Sequence, residues 1–155
     1  RRDGKSACLN APLPGRRLIV VRPRRTWVRY GIVSATTCWT CRKAVYGLRV
    51  APRAWGVHRD LRIREFRWIV DETAYMMKQC RMDTQVWLII IVGDPSTILG
   101  LLICYVDDML LMMKDGKVQA ELSKALGRLW KMSTEVKLET GKMFSFLGLE
   151  LERTA

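Results

Sequence analysis

The sequence predicts an α+β fold in which a β-sheet carries helices on one face. Its central part contains three short apolar runs of strand length, which are Val86–Val92, Leu99–Val106 and Met109–Met113. Two other segments, Arg53–Trp68 and Gln119–Met132, instead repeat apolar residues at helical spacing. The resulting order of strand, strand, helix, hairpin, helix and strand is that of an α+β sheet.

The first half of the chain contributes two predicted strands and one predicted helix. Leu18–Val21 is a β-branched run that ends before Pro23, and Trp39–Val45 is a second strand that ends at Tyr46-Gly47. Pro52 suits the first turn of the helix that follows. The expected apolar stripe of this helix comprises Ala54, Val57, Leu61, Ile63 and Phe66.

The second half contributes the hairpin, the second helix and a last strand. Asp94-Pro95-Ser96-Thr97 is predicted to be a turn that separates two strands. The helix over Gln119–Met132 has Leu122 and Leu126 at helical spacing, and Phe144–Leu151 alternates as a strand does.

The composition describes a globular chain with an uneven charge distribution. The 155 residues are 49% hydrophobic and 27% charged, which suits one domain with a sizeable core. Residues 1–67 carry 17 basic and 3 acidic side chains, whereas residues 68–155 carry 10 and 12. An Arg-rich basic segment predicts contact with a polyanion, and a solvated surface of arbitrary sign is the alternative.

Cysteines and apolar runs exclude other classes of protein. Cys38 and Cys41 form a lone C-x-x-C, and His58 is the single histidine, so a zinc or redox site is not expected there. No apolar run reaches the roughly 20 residues that cross a bilayer, and no signal peptide is apparent. We therefore expect an intracellular chain with reduced cysteines and no membrane partner.

Two adjacent aspartates, Asp107 and Asp108, stand within the apolar stretch Ile98–Met113. A buried carboxylate without a partner costs several kcal/mol or more. The pair could be the acidic turn of a hairpin, since Asp is a common turn residue. Alternatively it could be a metal site, because bound cations would remove the cost of burial.

Four blocks, in the same order, resemble the reverse transcriptases of copia-type retrotransposons. The signature Y-x-D-D is matched by Tyr105-Val106-Asp107-Asp108, and the segment of the first catalytic aspartate by residues 3–10, DGKSACLN. The block K-A-L-Y-G-L-K-Q-A-P-R-A-W is similar to residues 43–55, and the F-L-G-I-E strand near the primer grip to residues 146–150. Together the blocks cover almost the whole chain.

The resemblance implies a polymerase palm, which is an antiparallel sheet with a catalytic Asp-Asp hairpin and helices packed on one face. Residues 1–155 would be a reverse transcriptase domain fragment, the palm with part of the fingers, without the upstream fingers, thumb and ribonuclease H. The implied reaction is RNA-directed DNA synthesis by nucleotidyl transfer to a primer 3′-hydroxyl, with two Mg²⁺ ions or Mn²⁺.

The implied partners are an RNA or DNA template with its primer, deoxynucleoside triphosphates and the other domains of a retrotransposon polyprotein. The implied location is a cytoplasmic virus-like particle or the nucleus. The family's functional positions fall on the following residues: catalytic and metal-binding Asp3, Asp107 and Asp108, with the Gly4 carbonyl as a further ligand; nucleotide-binding Cys8, Tyr46, Gly47 and Arg49; primer-binding Phe146, Leu147 and Gly148; and Lys137 or Lys142 as a proton donor to pyrophosphate.

Three positions depart from the family pattern. Cys8 stands where the family has Phe or Tyr, a ring that excludes the 2′-hydroxyl, so weaker selection against ribonucleotides is predicted. Gly4 replaces Val, and Val50 replaces Gln. These departures indicate a decayed copy, so the alternative function is a catalytically inactive nucleic-acid-binding relic. A third possibility is a hairpin-based interaction protein whose Asp-Asp turn is coincidental.

Overall fold

The computed structural model describes residues 2–3, 7–13 and 18–153, and of residues 2–3 it describes the backbone. The chain is a mixed α+β structure of two compact units. We call Arg1–Ala7 with Arg59–Ala155 the sheet unit, and Cys8–His58 the basic unit. Within the described ranges, no helix is both long enough and apolar enough to cross a membrane.

The sheet unit is built on one antiparallel sheet in which sequential strands lie side by side. Its strand order is β1-β8-β7-β6-β5-β4, so only the first strand joins from a distant part of the chain. A separate two-stranded sheet follows near the C-terminus. The bounds are β1 Arg2–Asp3, β4 Arg67–Val70, β5 Thr73–Gln79, β6 Val86–Ile91, β7 Asp94–Tyr105, β8 Asp108–Met113, β9 Met143–Phe146 and β10 Leu149–Glu152.

One face of this sheet forms the core. Cross-strand partners such as Trp68 with Tyr75, and Trp87 with Leu102, point to the same face and are buried at both positions. The opposite face is more open, with Ile69 and Met112 exposed. The large side chains of the buried face are Trp68, Tyr75, Met77, Trp87, Ile89, Leu102 and Met109.

Helix α4, Gly116–Leu129, covers the buried face. Its N-cap is Asp115, whose side chain accepts hydrogen bonds from the backbone N–H groups of Lys117 and Val118. The helix contacts both β8 and β4, which lie four strands apart. Four strand spacings measure about 19 Å and a helix of this length about 21 Å, so one helix can reach across the sheet.

Among its described residues, the basic unit holds two short strands and two short helices. The strands β2 Ile19–Val21 and β3 Trp39–Cys41 pair antiparallel, with Val21 opposite Trp39. Helix α1 is Ala7–Asn10, and helix α2 is Arg25–Arg29. Ala7, the first residue of α1, still belongs to the sheet unit. Helix α3, Ala51–Glu65, begins in this unit and ends in the sheet unit.

Several sequence predictions are confirmed and others are wrong. The antiparallel α+β class, the hairpin around the aspartates and both long helices are present. Residues 67–79 contain two strands that were not predicted, and the predicted first helix therefore ends at Glu65 rather than at Trp68. Trp39–Cys41 is shorter than the predicted strand Trp39–Val45.

The positions of two turns differ from the prediction. The predicted turn over Asp94–Thr97 is part of β7, because the chain already reverses at Val92-Gly93, where Gly93 has a φ of 92°. The predicted single strand Phe144–Leu151 is a hairpin, because Leu147 and Gly148 both have positive φ and turn the chain.

The apolar stripe predicted for α3 is wrong at two positions. Val57 and Leu61 are 62% and 49% exposed. The buried positions follow instead the three- and four-residue spacing that begins at Ala51, and one of them is a charged residue. They are Ala51, Ala54, Trp55, Arg59 and Ile63.

Candidate active site at an acidic hairpin turn

The two aspartates lie at the tip of the β7–β8 hairpin. Tyr105 pairs with Asp108, which leaves Val106 and Asp107 as a two-residue turn. Both aspartates are half-buried, whereas Tyr105 is 54% exposed. The ends of the two arms next to the turn are apolar, and each holds two buried residues, which are Leu102 and Cys104 on β7 and Met109 and Leu110 on β8. The two aspartates therefore lie at the tip of a hairpin whose base belongs to the core.

The turn has an unusual backbone conformation. Val106 has a φ of 50°, and this positive value at the first turn position is typical of a type II′ turn, where glycine is the usual residue. A β-branched residue is strained there, at a cost on the order of 1–3 kcal/mol. Such a conformation persists because neighbouring groups hold it in place.

A buried arginine on α3 supplies that support. Arg59 is 2% exposed, and its Nη1 donates a hydrogen bond of 3.3 Å to the Val106 carbonyl. Its Nη2 donates to Gln85 Oε1 at 3.1 Å, and its Nε donates to Asp60 Oδ1 at 2.9 Å. The guanidinium therefore connects a helix and the loop before β6 with the carbonyl of the strained turn.

Arg59 and Cys104, which lie behind the turn, are buried. The Gln85 carbonyl accepts a hydrogen bond of 2.9 Å from the Cys104 N–H, which fixes this loop against the end of β7. Burial raises the pKa of the Cys104 thiol to about 12, against a weaker lowering by the Arg59 charge. This thiol is therefore a neutral packing group and not a ligand or nucleophile.

The third predicted aspartate belongs to the neighbouring strand. In the pairing of β1 with β8, Asp3 lies opposite Asp108, and Arg2 lies opposite Met109. Residues directly opposite in an antiparallel pair have Cα atoms about 4.5–5.5 Å apart. The side chain of Asp3, and all of Gly4, lie outside the described residues.

Among the side chains that the structure describes, no group of three or more His, Cys, Asp and Glu residues is arranged to hold a metal ion. Asp107 and Asp108 remain as two adjacent carboxylates. Mg²⁺ is commonly bound by one or two carboxylates together with substrate phosphates, so this donor set is compatible with it.

The predicted nucleotide-binding residues lie in the basic unit. Cys8 is buried in α1, at 4% exposure, and is not on a strand. Tyr46 and Gly47 occupy a turn that is closed by a hydrogen bond from the Leu48 N–H to the Val45 carbonyl, with Gly47 at a φ of 88°. Arg49 is exposed just before α3.

The predicted primer-binding residues form the tip of the β9–β10 hairpin. Phe146 is buried, whereas Leu147 and Gly148 make the turn itself and Leu147 is 45% exposed. A cavity of about 760 Å³ is lined by this hairpin, α4 and β8, including Met109, which follows Asp108 directly. Of the two candidate proton donors, Lys142 is paired with Glu139, and Lys137 lines the cavity.

Sequence reasoning missed Arg59. The available signal was its position, four residues from Trp55 and four from Ile63, which places it on the buried stripe of α3. In comparisons with models of known families, with curated proteins and with solved structures, nothing matches this chain.

Proposed function

We propose that the chain is the palm-centred part of a copia-type reverse transcriptase. It would carry out nucleotidyl transfer from a deoxynucleoside triphosphate to a primer 3′-hydroxyl. The observation that carries the proposal is the β1–β8 pairing, which brings Asp3 opposite Asp108 although more than a hundred positions separate them. A coincidental acidic turn would not require a distant aspartate at this register.

The chain's own residues would have distinct tasks in this reaction. Asp107, Asp108 and Asp3 would hold two Mg²⁺ ions, which when bound supply charge for the attacking hydroxyl and the leaving pyrophosphate. Arg59 would keep the turn, and with it Asp107, in one conformation. The hairpin tip at Phe146–Gly148 would hold the primer end.

Metal binding is the first test. We expect Asp107→Asn and Asp108→Asn to abolish Mn²⁺ binding measured by calorimetry, because each removes a carboxylate ligand. Asp94→Asn is the matched control, since Asp94 also follows a hairpin turn and its carboxylate is hydrogen-bonded to Ser96. Equal Mn²⁺ binding by all three variants would contradict the proposal.

Primer extension is the second test. On an RNA template with a DNA primer, the chain joined to fingers and thumb should extend the primer, and Asp107→Asn should slow it about a thousandfold. This corresponds to roughly 4 kcal/mol of transition-state stabilisation. The same assay tests the prediction for Cys8, since Cys8→Phe should raise the preference for deoxynucleotides.

The alternative function, a nucleic-acid-binding relic without turnover, is favoured by the charge of the basic unit. The logarithm of the affinity for any nucleic acid should fall linearly with the logarithm of the salt concentration. Charge reversal at Arg22, Arg24 and Arg25 should weaken binding to all sequences alike. Binding without primer extension would establish the relic, and binding indifferent to salt would exclude it.

A further inference from the structure

The basic unit contains no acidic residue. Between Cys8 and His58 every ionised side chain at neutral pH is a cation. Those that the structure describes are all exposed, and the unit offers them no carboxylate with which to pair. The cations are Arg16, Arg17, Arg22, Arg24, Arg25, Arg29, Arg42, Lys43, Arg49 and Arg53.

Two exposed tryptophans lie among these cations. Trp27 is on α2 and Trp39 is on β3, and their ring centroids are 5.7 Å apart with an angle of 61° between the ring planes. They are 43% and 41% exposed. In such an edge-to-face pair the edge of one ring meets the face of the other, which leaves ring surface open to a ligand.

The arginines surround this pair along the chain. Arg25 is the first residue of α2, directly after the N-cap Arg24, and Arg29 is the last, so Trp27 has arginines on either side in sequence. Arg22 directly follows Val21, the cross-strand partner of Trp39. Guanidinium groups bind phosphate oxygens through two parallel hydrogen bonds, and tryptophan faces stack on nucleobases.

We infer that Trp27, Trp39 and the arginines beside them form a binding surface for single-stranded nucleic acid. Unpaired bases stack on the tryptophan rings while the arginines contact the phosphates. A duplex offers only the phosphates, because its bases already stack on one another. The inference rests on the proposed function in one respect, which is that the bound strand is taken to be the template. Binding of the strand itself requires neither metal nor turnover.

The position of the other tryptophans makes the test specific. Trp55, Trp68, Trp87 and Trp130 are at most 7% exposed. Quenching of tryptophan fluorescence by a bound base therefore reports on Trp27 and Trp39. We propose titrating the chain, in buffer with chelator and low salt, with a short oligouridylate RNA and with the same RNA annealed to its complement.

The single strand should quench the fluorescence and bind more tightly than the duplex. Trp27→Leu and Trp39→Leu should each weaken single-strand binding about tenfold and leave duplex binding within about twofold, since stacking is lost and the charges remain. Trp27→Phe and Trp39→Phe should retain most of the affinity. The phenylalanine variants also separate loss of stacking from loss of folding.

Two variants in the sheet unit are the matched controls. Met82→Ala removes an apolar side chain that is 94% exposed, and Arg81→Ala removes an exposed arginine. Neither should change the affinity for the single strand. Arg25→Ala should weaken the binding of single strand and duplex alike, because it removes a phosphate contact.

Three results would overturn the inference. The first is that the leucine variants bind the single strand as tightly as the parent chain. The second is that the duplex quenches the fluorescence as much as the single strand does. The third is that the chain binds vesicles of phosphatidylserine and phosphatidylcholine in preference to RNA. Failure of primer extension with tryptophan-dependent binding intact would count against the proposed function alone. Primer extension with tryptophan-independent binding would count against this inference alone.

Discussion

The sheet unit has a buried arginine with partners inside the fold, whereas every arginine that the structure describes in the basic unit is exposed. In the sheet unit, Arg59 is buried and has hydrogen-bond partners for three of its nitrogens, including the neighbouring carboxylate of Asp60. In the basic unit, arginines such as Arg24 and Arg25 are exposed, and the unit has no carboxylate at all. One arginine is structural, and the others are available to an external anion.

The difference extends to the remaining charges. The sheet unit contains every acidic residue of the chain, and some of its lysines pair with carboxylates there, for example Lys117 with Asp71 at 2.6 Å. Exposed pairs of this kind are screened by solvent, so they balance charge more than they stabilise the fold. The basic unit concentrates positive charge, which is an electrostatic cost that a bound polyanion would remove.

The largest expected effect comes from Arg59. Arg59→Met should lower the free energy of unfolding by about 3 kcal/mol, because it removes the buried guanidinium and its hydrogen bonds to the Val106 carbonyl and the Gln85 side chain. Arg25→Met in the basic unit should change it by no more than about 0.5 kcal/mol. Urea denaturation followed by circular dichroism measures both, and similar midpoints for the two variants would remove the contrast between the units.

A pair of glycines gives the next effect, with opposite signs. A Cβ at Gly100 would lie 2.4 Å from the Met112 carbonyl oxygen, which is backbone, so Gly100→Ala should destabilise the sheet unit by about 2 kcal/mol. At Gly56, within α3, a Cβ meets no atom within 4 Å, and Gly56→Ala should stabilise by up to about 1 kcal/mol. Thermal denaturation would test the pair, and two changes of the same sign would contradict the described packing.

The turn at Val106 in the sheet unit and the turn at Gly47 in the basic unit both need a positive φ, which suits glycine and not valine. Val106→Gly should stabilise the sheet unit by about 1 kcal/mol, because the strain relieved exceeds the entropy that glycine adds to the unfolded chain. Gly47→Ala in the basic unit should destabilise by about 1 kcal/mol, since alanine is disfavoured at a φ of 88°. Equal stability of Val106→Gly and the parent chain would mean that the hairpin tip is not strained.

The smallest expected effect is a difference in cysteine reactivity, and measuring it requires no substitution. At pH 8 a thiol reagent should label the exposed Cys38 rapidly and leave Cys104 unmodified, because burial both blocks access and raises the pKa of Cys104 to about 12. The same pKa shift predicts that unfolding becomes easier as the pH rises from 9 towards 12, since the unfolded thiol ionises first. Mass spectrometry of the labelled chain checks the order, and early labelling of Cys104 would show that this core opens readily.

The hairpin that carries the aspartates could be predicted because its arms are apolar runs separated by two aspartates. The hairpin of β4 and β5 at residues 67–79 could not be predicted, because its turn consists of Asp71 and Glu72 at φ values of 46° and 65°. Aspartate is favoured at the first of these positions, but glycine is the usual residue at the second, and the glutamate that stands there gives no turn signal in a sequence. The hairpin tip at Leu147-Gly148 was hidden for a related reason, since the alternation of apolar residues continues across it.

The carboxylates of the candidate site could be predicted from the sequence, but the buried arginine that holds the hairpin turn could not. Asp107 and Asp108 lie on the hairpin as expected, and the strand of Asp3 pairs with it. Arg59 was not predicted because charged residues on a helix are ordinarily assigned to solvent. Its role depends on the carbonyl of a strained turn and on Gln85, which are brought to it by folding and leave no local pattern.

The pairing of β1 with β8 has a consequence for the order of folding. The neighbouring pairs from β4 to β8 close short loops, whereas β1 closes a loop of about a hundred residues and gains two residues of pairing. Closing that loop costs roughly 2 kcal/mol more in chain entropy than closing one of ten residues. We therefore expect β1 to dock last in folding, so that the three aspartates come together only after the rest of the sheet has formed.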